Sequence, residues 1–271
     1  MTSILTNNGA MVALQTLKSV NNNLEETQNQ ISTGKEVGMA KDNSAVWAIS
    51  KSMESDIQAF EAVSDALDFG EATVAVASSG MEQIVDTLKD MRELVVAGVS
   101  QNVDHAKIEA DLAKKREQID SIIASASFNG MNLIDTGGAT QLDVLGGLSA
   151  TGDVITITAI DSVNGIAGTL SANGALDSTN AATILSDIEA ALTFAIDSAA
   201  QLGADSNRLT DQNDFVSKLT DSLKSGVSTM TDTNMEEASA RLKALQTQQQ
   251  LAVQSLSIAN SAPSTLQQLF R

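Results

Sequence analysis

Both ends of this 271-residue chain carry the same narrow apolar stripe, and that feature limits the folds open to it more than any other. Near the start, Ala10, Ala13, Leu17, Val20, Leu24, Thr27 and Ile31 recur in alternating steps of three and four. Near the end, Ala238, Leu242, Leu245, Gln249, Ala252, Leu256, Ala259, Pro263, Leu266 and Phe270 follow the same spacing. A mean step of 3.5 residues holds one stripe along one side of a helix, which is the pattern of a coiled-coil seam. Such a stripe is too narrow to fill a globular core unaided. The two ends are therefore expected to pair with each other across the whole length of the chain. A helix with so little apolar surface is weak alone, so these ends are expected to complete their folding when neighbours supply the missing surface.

The interior repeats the theme. Phe60, Leu67, Val74, Met81, Leu88 and Val95 recur every seven residues, with Val63, Ala77, Ile84 and Met91 on the alternate seam. Ile188, Leu192, Ala195, Ala199, Leu202, Leu209, Val216, Leu223, Val227 and Met230 mark one face of a second long stretch, and Ile108, Leu112, Ile119 and Ile122 mark a shorter helix. The one proline, Pro263, leaves these runs unbroken. Aromatic residues make up only 3% of the chain, fewer than a compact enzyme core of this size uses. Residues 137–180 differ: they hold eight of the 17 glycines and no Lys or Arg. Within them LDVL (142–145) and VITITAI (154–160) read as short strands between glycine-rich turns.

The fold class expected is mainly α: paired terminal helices forming a coiled coil, plus an elongated helical bundle with a small β-hairpin region. The domain reading is discontinuous. Residues 1–40 and 231–271 form the terminal coiled coil, 41–136 and 181–230 the bundle, and 137–180 a Gly/Ser/Thr-rich hairpin insert. Subunit packing is assigned to Leu17, Val20, Leu24, Ile31, Leu242, Leu245, Leu256 and Leu266. The bundle seam is assigned to Phe60, Leu67, Met81, Leu88, Leu202, Leu209 and Leu223.

The formal charge of −18 disfavours nucleic acid and anionic membrane surfaces, which require clustered Lys and Arg. That charge is concentrated in the middle. Residues 1–40 carry two Lys against three Glu, and residues 231–271 three basic against three acidic side chains. Near-neutral ends pack closely against copies of themselves, while an acidic middle stays hydrated. No apolar run reaches membrane-spanning length, and the opening residues lack the charged and apolar regions of a secretory signal.

Nothing in the sequence assembles a catalytic, cofactor or metal site. His105 is the single histidine and there is no cysteine to join it. The Asp and Glu residues lack a calcium-loop pattern, and GGLSATGD lacks the Lys and helix start of a phosphate cradle. Trp47 is read as a packing residue at a domain or subunit boundary. Met81 and Met91 fall on the heptad seam and are read as core.

Four passages resemble bacterial flagellins. LEETQNQISTGKEVGMAKDNSAVWAIS (24–50) is similar to the family's first conserved passage through Ile31, Ser32, Gly34, Ala40, Lys41, Asp42 and Ala45. LKDMRELVV (88–96) resembles its RELAV segment, SFNGMNLI (127–134) its FNG turn into a hairpin, and MEEASARLKALQTQQQLAVQSLSIANSAPSTLQQLFR (235–271) its closing helix. The resemblance covers roughly 1–135 and 185–271 and looks like a minimal, alphaproteobacterial-type flagellin without large outer domains. It implies a non-enzymatic structural subunit that polymerises into the extracellular flagellar filament for motility.

The same resemblance implies export through the flagellar type III apparatus with a chaperone. It also implies contact with hook-associated and cap proteins and, where they exist, paralogous flagellins. Central Ser and Thr residues often carry O-glycans in related flagellins. The family's receptor-recognised segment maps onto Asp90, Arg92, Glu93 and Leu94. Here Lys89-Asp90 replaces the usual Gln-Arg and Asp111 a usual Glu, which implies poor sensing by the animal Toll-like receptor. A hook–filament junction protein with the same coiled-coil ends is the alternative reading.

Overall fold

A computed structural model of the chain describes residues 7–100, 102–137, 140–149, 153–171, 175–177 and 179–269, with side chains as far as Ser261. The elements are α1 (Asn8–Thr33), α2 (Ser44–Gly98), α3 (His105–Ser125), β1 (Ser127–Phe128), β2 (Met131–Asn132), β3 (Gln141–Leu145) and β4 (Val154–Thr158). A π-helical turn (Val163–Gly168) runs into α4 (Thr169–Ser171), and α5 (Ala181–Thr231) and α6 (Met235–Leu269) follow. The fold is mainly α with two small antiparallel hairpins, as the stripes require.

Each long helix starts at an Asn or Asp, whose short side chain or backbone carbonyl takes up otherwise orphaned N–H groups. The Asn7 amide oxygen accepts from Ala10 N at 3.0 Å, and Asp104 accepts from Lys107 N at 3.3 Å. Asn43 accepts from Val46 N at 3.3 Å through its side chain. The Asn180 carbonyl accepts from Thr183 N and Ile184 N. Asn234 accepts from Glu236 N at 3.2 Å, and the two glutamates behind it sit favourably at the positive end of α6.

The chain divides into two compact units, residues 56–221 and residues 1–55 with 222–271. In the 56–221 unit, α2 and α5 run antiparallel. Ser64 donates to Asn213 at 2.7 Å, Asn213 to Asp68 at 2.6 Å, and Arg92 to Glu189 at 3.1 Å, so rising numbers on one helix meet falling numbers on the other. The seam predicted from the heptads lies inside. Leu67, Met81, Leu88, Leu202 and Leu209 are fully buried, with Leu112 and Ile119 of α3. Phe60 packs half-buried at the rim of this core.

Both hairpins close over the same core. Asn129 (φ 49°) and Gly130 (φ 81°) form the two-residue turn joining β1 to β2, the left-handed pair that a tight hairpin demands. Beyond it Leu133 and Ile134 are fully buried. β3 pairs with β4 from Gln141↔Thr158 to Leu145↔Val154, and Val144, Ile155 and Ile157 face inward. Gly70 of α2 makes this seating possible: a Cβ there would lie 2.7 Å from Val144 Cγ2. The π-helical turn adds an element that the strand pattern of the insert did not announce. It packs Ile166 into the core and brings Gly165 under the Phe194 ring.

Candidate assembly surface on the terminal helix pair

The unit made by residues 1–55 and 222–271 is built on α1 and α6. The Asn7 amide donates to the Ala259 carbonyl at 2.7 Å, and Gln249 donates to Asn21 at 2.8 Å, so the two helices run antiparallel, with the start of α1 beside the later part of α6. At the opposite end α1 stops at Gly34, which takes φ 71° and returns its N–H to the Gln30 carbonyl at 2.9 Å. A short backbone clasp follows. Glu36 N donates to the Thr231 carbonyl at 2.7 Å, Thr233 N donates to the Gly34 carbonyl at 2.9 Å, and Lys35 bridges to Asp232.

Between these two ties lies the predicted seam. Val20, Leu245, Ala238 and Ala252 are buried, and Leu17, Leu24, Ile31, Leu242 and Leu256 are half-buried. The side chain of Leu266 and the whole of Phe270 lie outside the described residues. Leu223 of the bundle seam falls in this unit and is half-buried. Trp47, near the start of α2, is also half-buried in it.

The seam leaves substantial apolar surface uncovered. Met11 (63% exposed), Val12 (64%) and Leu14 (58%) of α1, with Leu251 (57%), Val253 (53%) and Ile258 (64%) of α6, all point to solvent at the end where Asn7 meets Ala259. On one flank an open groove of about 470 Å³ runs between the helices, lined by Gly9, Val12, Thr16, Leu251 and Ser255 among others. Lys18 is the one charged residue within 7–24 and 244–261; Glu25, Glu26, Lys35, Arg241 and Glu237 are all farther along. These exposed residues were missed by the heptad reading because they lie off its stripe. Their signal was present as large apolar residues beside the seam, on faces that a two-helix pair cannot cover.

The segment Asp90–Leu94 lies on α2 in the other unit. Lys115 Nζ donates to Asp90 at 2.7 Å, tying α3 to α2, and Arg92 pairs with Glu189. Glu93 is exposed and Leu94 packs half-buried against the core. His105 does structural work at the start of α3, with its Nε2 2.9 Å from the Gly98 carbonyl. Among the described residues there is no group of His, Cys, Asp or Glu arranged to hold a metal ion, and no helix is long and apolar enough to cross a membrane.

Comparison with known proteins places the same regions in one family. The family described as bacterial flagellin N-terminal helical region matches residues 4–138, and the bacterial flagellin C-terminal helical region matches residues 185–270. The chain is 40% identical over 282 residues to a flagellin of Brucella melitensis, covering all of both chains. It is 38% identical over 274 residues to flagellin FljO of Caulobacter vibrioides, covering 100% of this chain and 99% of that one. The crystal structure of Bacillus cereus flagellin matches the fold with a TM-score of 0.50 at 22% identity, covering 55% of this chain and 86% of the other.

Proposed function

Because the chain belongs to the bacterial flagellin family, the structural subunits of the extracellular flagellar filament, we propose that its terminal helix pair is the element through which copies polymerise. The observation that carries this reading is the exposed apolar surface of α1 and α6 at their shared end. Fully burying such a large side chain contributes roughly 1.5–3 kcal/mol, and the isolated chain forgoes the share that belongs to the exposed half or more of each. Leu17, Val20, Leu24, Ile31, Leu242, Leu245 and Leu256 are assigned to the pair and to its packing against neighbouring subunits, as is Leu266, whose side chain lies outside the described residues. Met11, Val12, Leu14, Leu251, Val253 and Ile258 meet the neighbours. Residues 1–40 and 231–271 then act as the inner polymerising domain, 41–136 with 181–230 as the bundle around Phe60, Leu67, Met81, Leu88, Leu202, Leu209 and Leu223, and 137–180 as an insert in place of an outer domain.

Self-polymerisation follows from the family. Finer partners belong to the same proposal: the flagellar export apparatus and a chaperone for the unassembled ends, hook-associated and cap proteins at filament ends, and paralogous flagellins as co-subunits. A hook–filament junction role is set aside, because the likeness to filament flagellins extends over the full chain at about 40% identity.

Seeded assembly tests the reading. Purified chain is mixed with sheared filaments and followed by negative-stain microscopy and circular dichroism, beside a version lacking residues 1–40 and 235–271. Filaments with rising helicity, lost on truncation, are expected; filaments from the truncated chain overturn it. For the segment Asp90, Arg92, Glu93 and Leu94, poor Toll-like receptor sensing is proposed, since Asp90 presents a carboxylate held by Lys115 where related flagellins place a guanidinium. Asp90→Arg is expected to raise the response in a receptor reporter assay, and a full response to the unaltered chain refutes it.

A further inference from the structure

We infer that the Asn129–Gly130 turn is a site of spontaneous covalent modification, deamidating to aspartate and isoaspartate, and that the fold protects the other described Asn–Gly pairs from the same reaction. The chemistry needs no enzyme or co-reactant but water. The backbone nitrogen of the residue after an asparagine attacks the side-chain Cγ. The Cγ–Nδ2 bond breaks, ammonia leaves with the transferred proton, and a five-membered succinimide remains. Water then opens that ring at either carbonyl. One opening gives aspartate; the other gives isoaspartate, in which the main chain passes through the former side chain. No electrons change hands. Glycine in the following position favours attack because it has no side chain to obstruct the nitrogen.

The chain contains four Asn–Gly pairs, at 8–9, 129–130, 164–165 and 173–174. The last includes residues outside the described ones. The other three differ in what restrains them. Asn8 and Gly9 lie in the first turn of α1, whose helical backbone keeps the nitrogen away from Cγ. Asn164 is tied twice to Asp161, through its backbone N at 3.0 Å and its Nδ2 at 2.7 Å. The nitrogen that would attack, Gly165 N, donates to the Asp161 carbonyl at 2.9 Å, and Gly165 is pressed under Phe194.

Asn129 and Gly130 have none of these restraints. Both are exposed, and neither the Asn129 amide nor Gly130 N makes a hydrogen bond among the described residues. Nothing lies within 4 Å of where a Gly130 side chain would begin. The reaction proceeds from a locally opened hairpin, in which Asn129 and Gly130 leave their left-handed conformation. That opening is slight, because β1 and β2 are two residues each and pair only through Ser127↔Asn132 and Phe128↔Met131.

The product would not be silent. Isoaspartate lengthens the main chain of a turn that tolerates only two residues, and either product adds a negative charge. Asn132, just beyond, donates to the Ile123 carbonyl at 2.7 Å and accepts from Ile134 N at 3.0 Å, so the change is expected to stop at that anchor and leave Leu133 and Ile134 in the core.

The test is ageing of the purified full-length chain at mildly alkaline pH, followed by cleavage before aspartate and mass spectrometry. Residues 120–134 then separate from residues 161–176, since Asp120, Asp135, Asp161 and Asp177 bound them. A gain of one mass unit at Asn129 is expected, in the intact 120–134 fragment for isoaspartate and in a new 129–134 fragment for aspartate, at least about tenfold faster than at Asn164, where the attacking Gly165 N must first lose a hydrogen bond. Isoaspartyl methyltransferase should label the 120–134 fragment. Asn129→Asp, which keeps a residue suited to this turn, should abolish the mass gain without changing the circular dichroism spectrum. Asn129 remaining intact while the unfolded chain deamidates there, or modification at Asn164 or Asn8 first, would overturn the inference.

Discussion

Replacing Gly70 by alanine measures how closely the β3–β4 hairpin is seated on α2. The new Cβ would fall 2.7 Å from Val144 Cγ2 and 3.2 Å from its Cγ1, with Leu209 Cδ1 at 3.6 Å. The first distance is a clash and the last an ordinary contact, so Val144, 4% exposed, must give way. Two effects oppose each other. Alanine in a helix interior is favoured over glycine by about 0.8–1 kcal/mol, while overpacking a filled core costs about 1–3 kcal/mol. The net expectation for Gly70→Ala is a loss of up to about 2 kcal/mol, or a fall of roughly 2–4 °C in melting temperature per kcal/mol. Val144→Ala alone empties part of the same site. In its background the clash disappears and Gly70→Ala becomes stabilising by about 1 kcal/mol. Urea unfolding of the two single variants and the double variant should therefore show a coupling energy of about 1–3 kcal/mol with unchanged slopes. Additivity within about 0.5 kcal/mol would mean that Val144 does not rest on Gly70, and the argument for the seating of the hairpin would fail.

Serine at Met11, Leu14 and Ile258 together should leave the monomer's melting temperature unchanged, because these side chains are already exposed, yet raise the critical concentration for seeded assembly at least about tenfold. An unchanged critical concentration would remove them from the contact. Asn7→Ala deletes both the cap of α1 and its tie to Ala259, and should cost about 1–2 kcal/mol locally, read as faster amide exchange in the first turns of α1. The carboxyl of Asp161 is held below the usual carboxylate range, first by the Asn164 side-chain hydrogen bond and then by Asn164's backbone N–H and by Thr136. A depressed folded-state value means that this contribution is present above the ordinary carboxylate range and lost as pH falls through the folded value. Amide exchange across Val163–Gly168 should accordingly quicken with acid, and Asp161→Asn should flatten that dependence; an identical acid response in the variant would assign the effect elsewhere.

The helices and seams were legible because a 3.5-residue stripe records which side of a helix is buried. Leu67, Met81, Leu88, Leu202 and Leu209 could be named without coordinates for that reason. The threonines inside the same seams could not. Thr73, Thr87, Thr220 and Thr231 are buried, and each hydroxyl donates to the carbonyl four residues earlier, which satisfies it without a partner from another element. A pattern that separates apolar from polar residues assigns such positions to the surface. The FNG turn was readable from its two residues, whereas the π-helical turn at 163–168 depends on Phe194 meeting Gly165 across a long sequence separation that no local pattern encodes.

The two seams share a period but not a degree of burial, and that difference bears on assembly. Along α2 and α5 heptad residues such as Leu67, Met81, Leu88, Leu202 and Leu209 reach complete burial because α3 and the hairpins close over what the helix pair leaves open. Along α1 and α6 no third element closes over the seam among the described residues. Val20, Leu245 and Ala252 keep 7–9% exposure, their seam neighbours are half-buried, and the large apolar side chains beside them are open to solvent. Two helices can cover only one stripe of each other, so among the described residues the remaining faces stay open. On the proposal above, what covers them is another copy, contacting surfaces that differ from those it offers in return. Contacts of that kind do not close on themselves and so build a helical polymer. On that proposal the low burial of the terminal seam is the part of the structure that assembly completes.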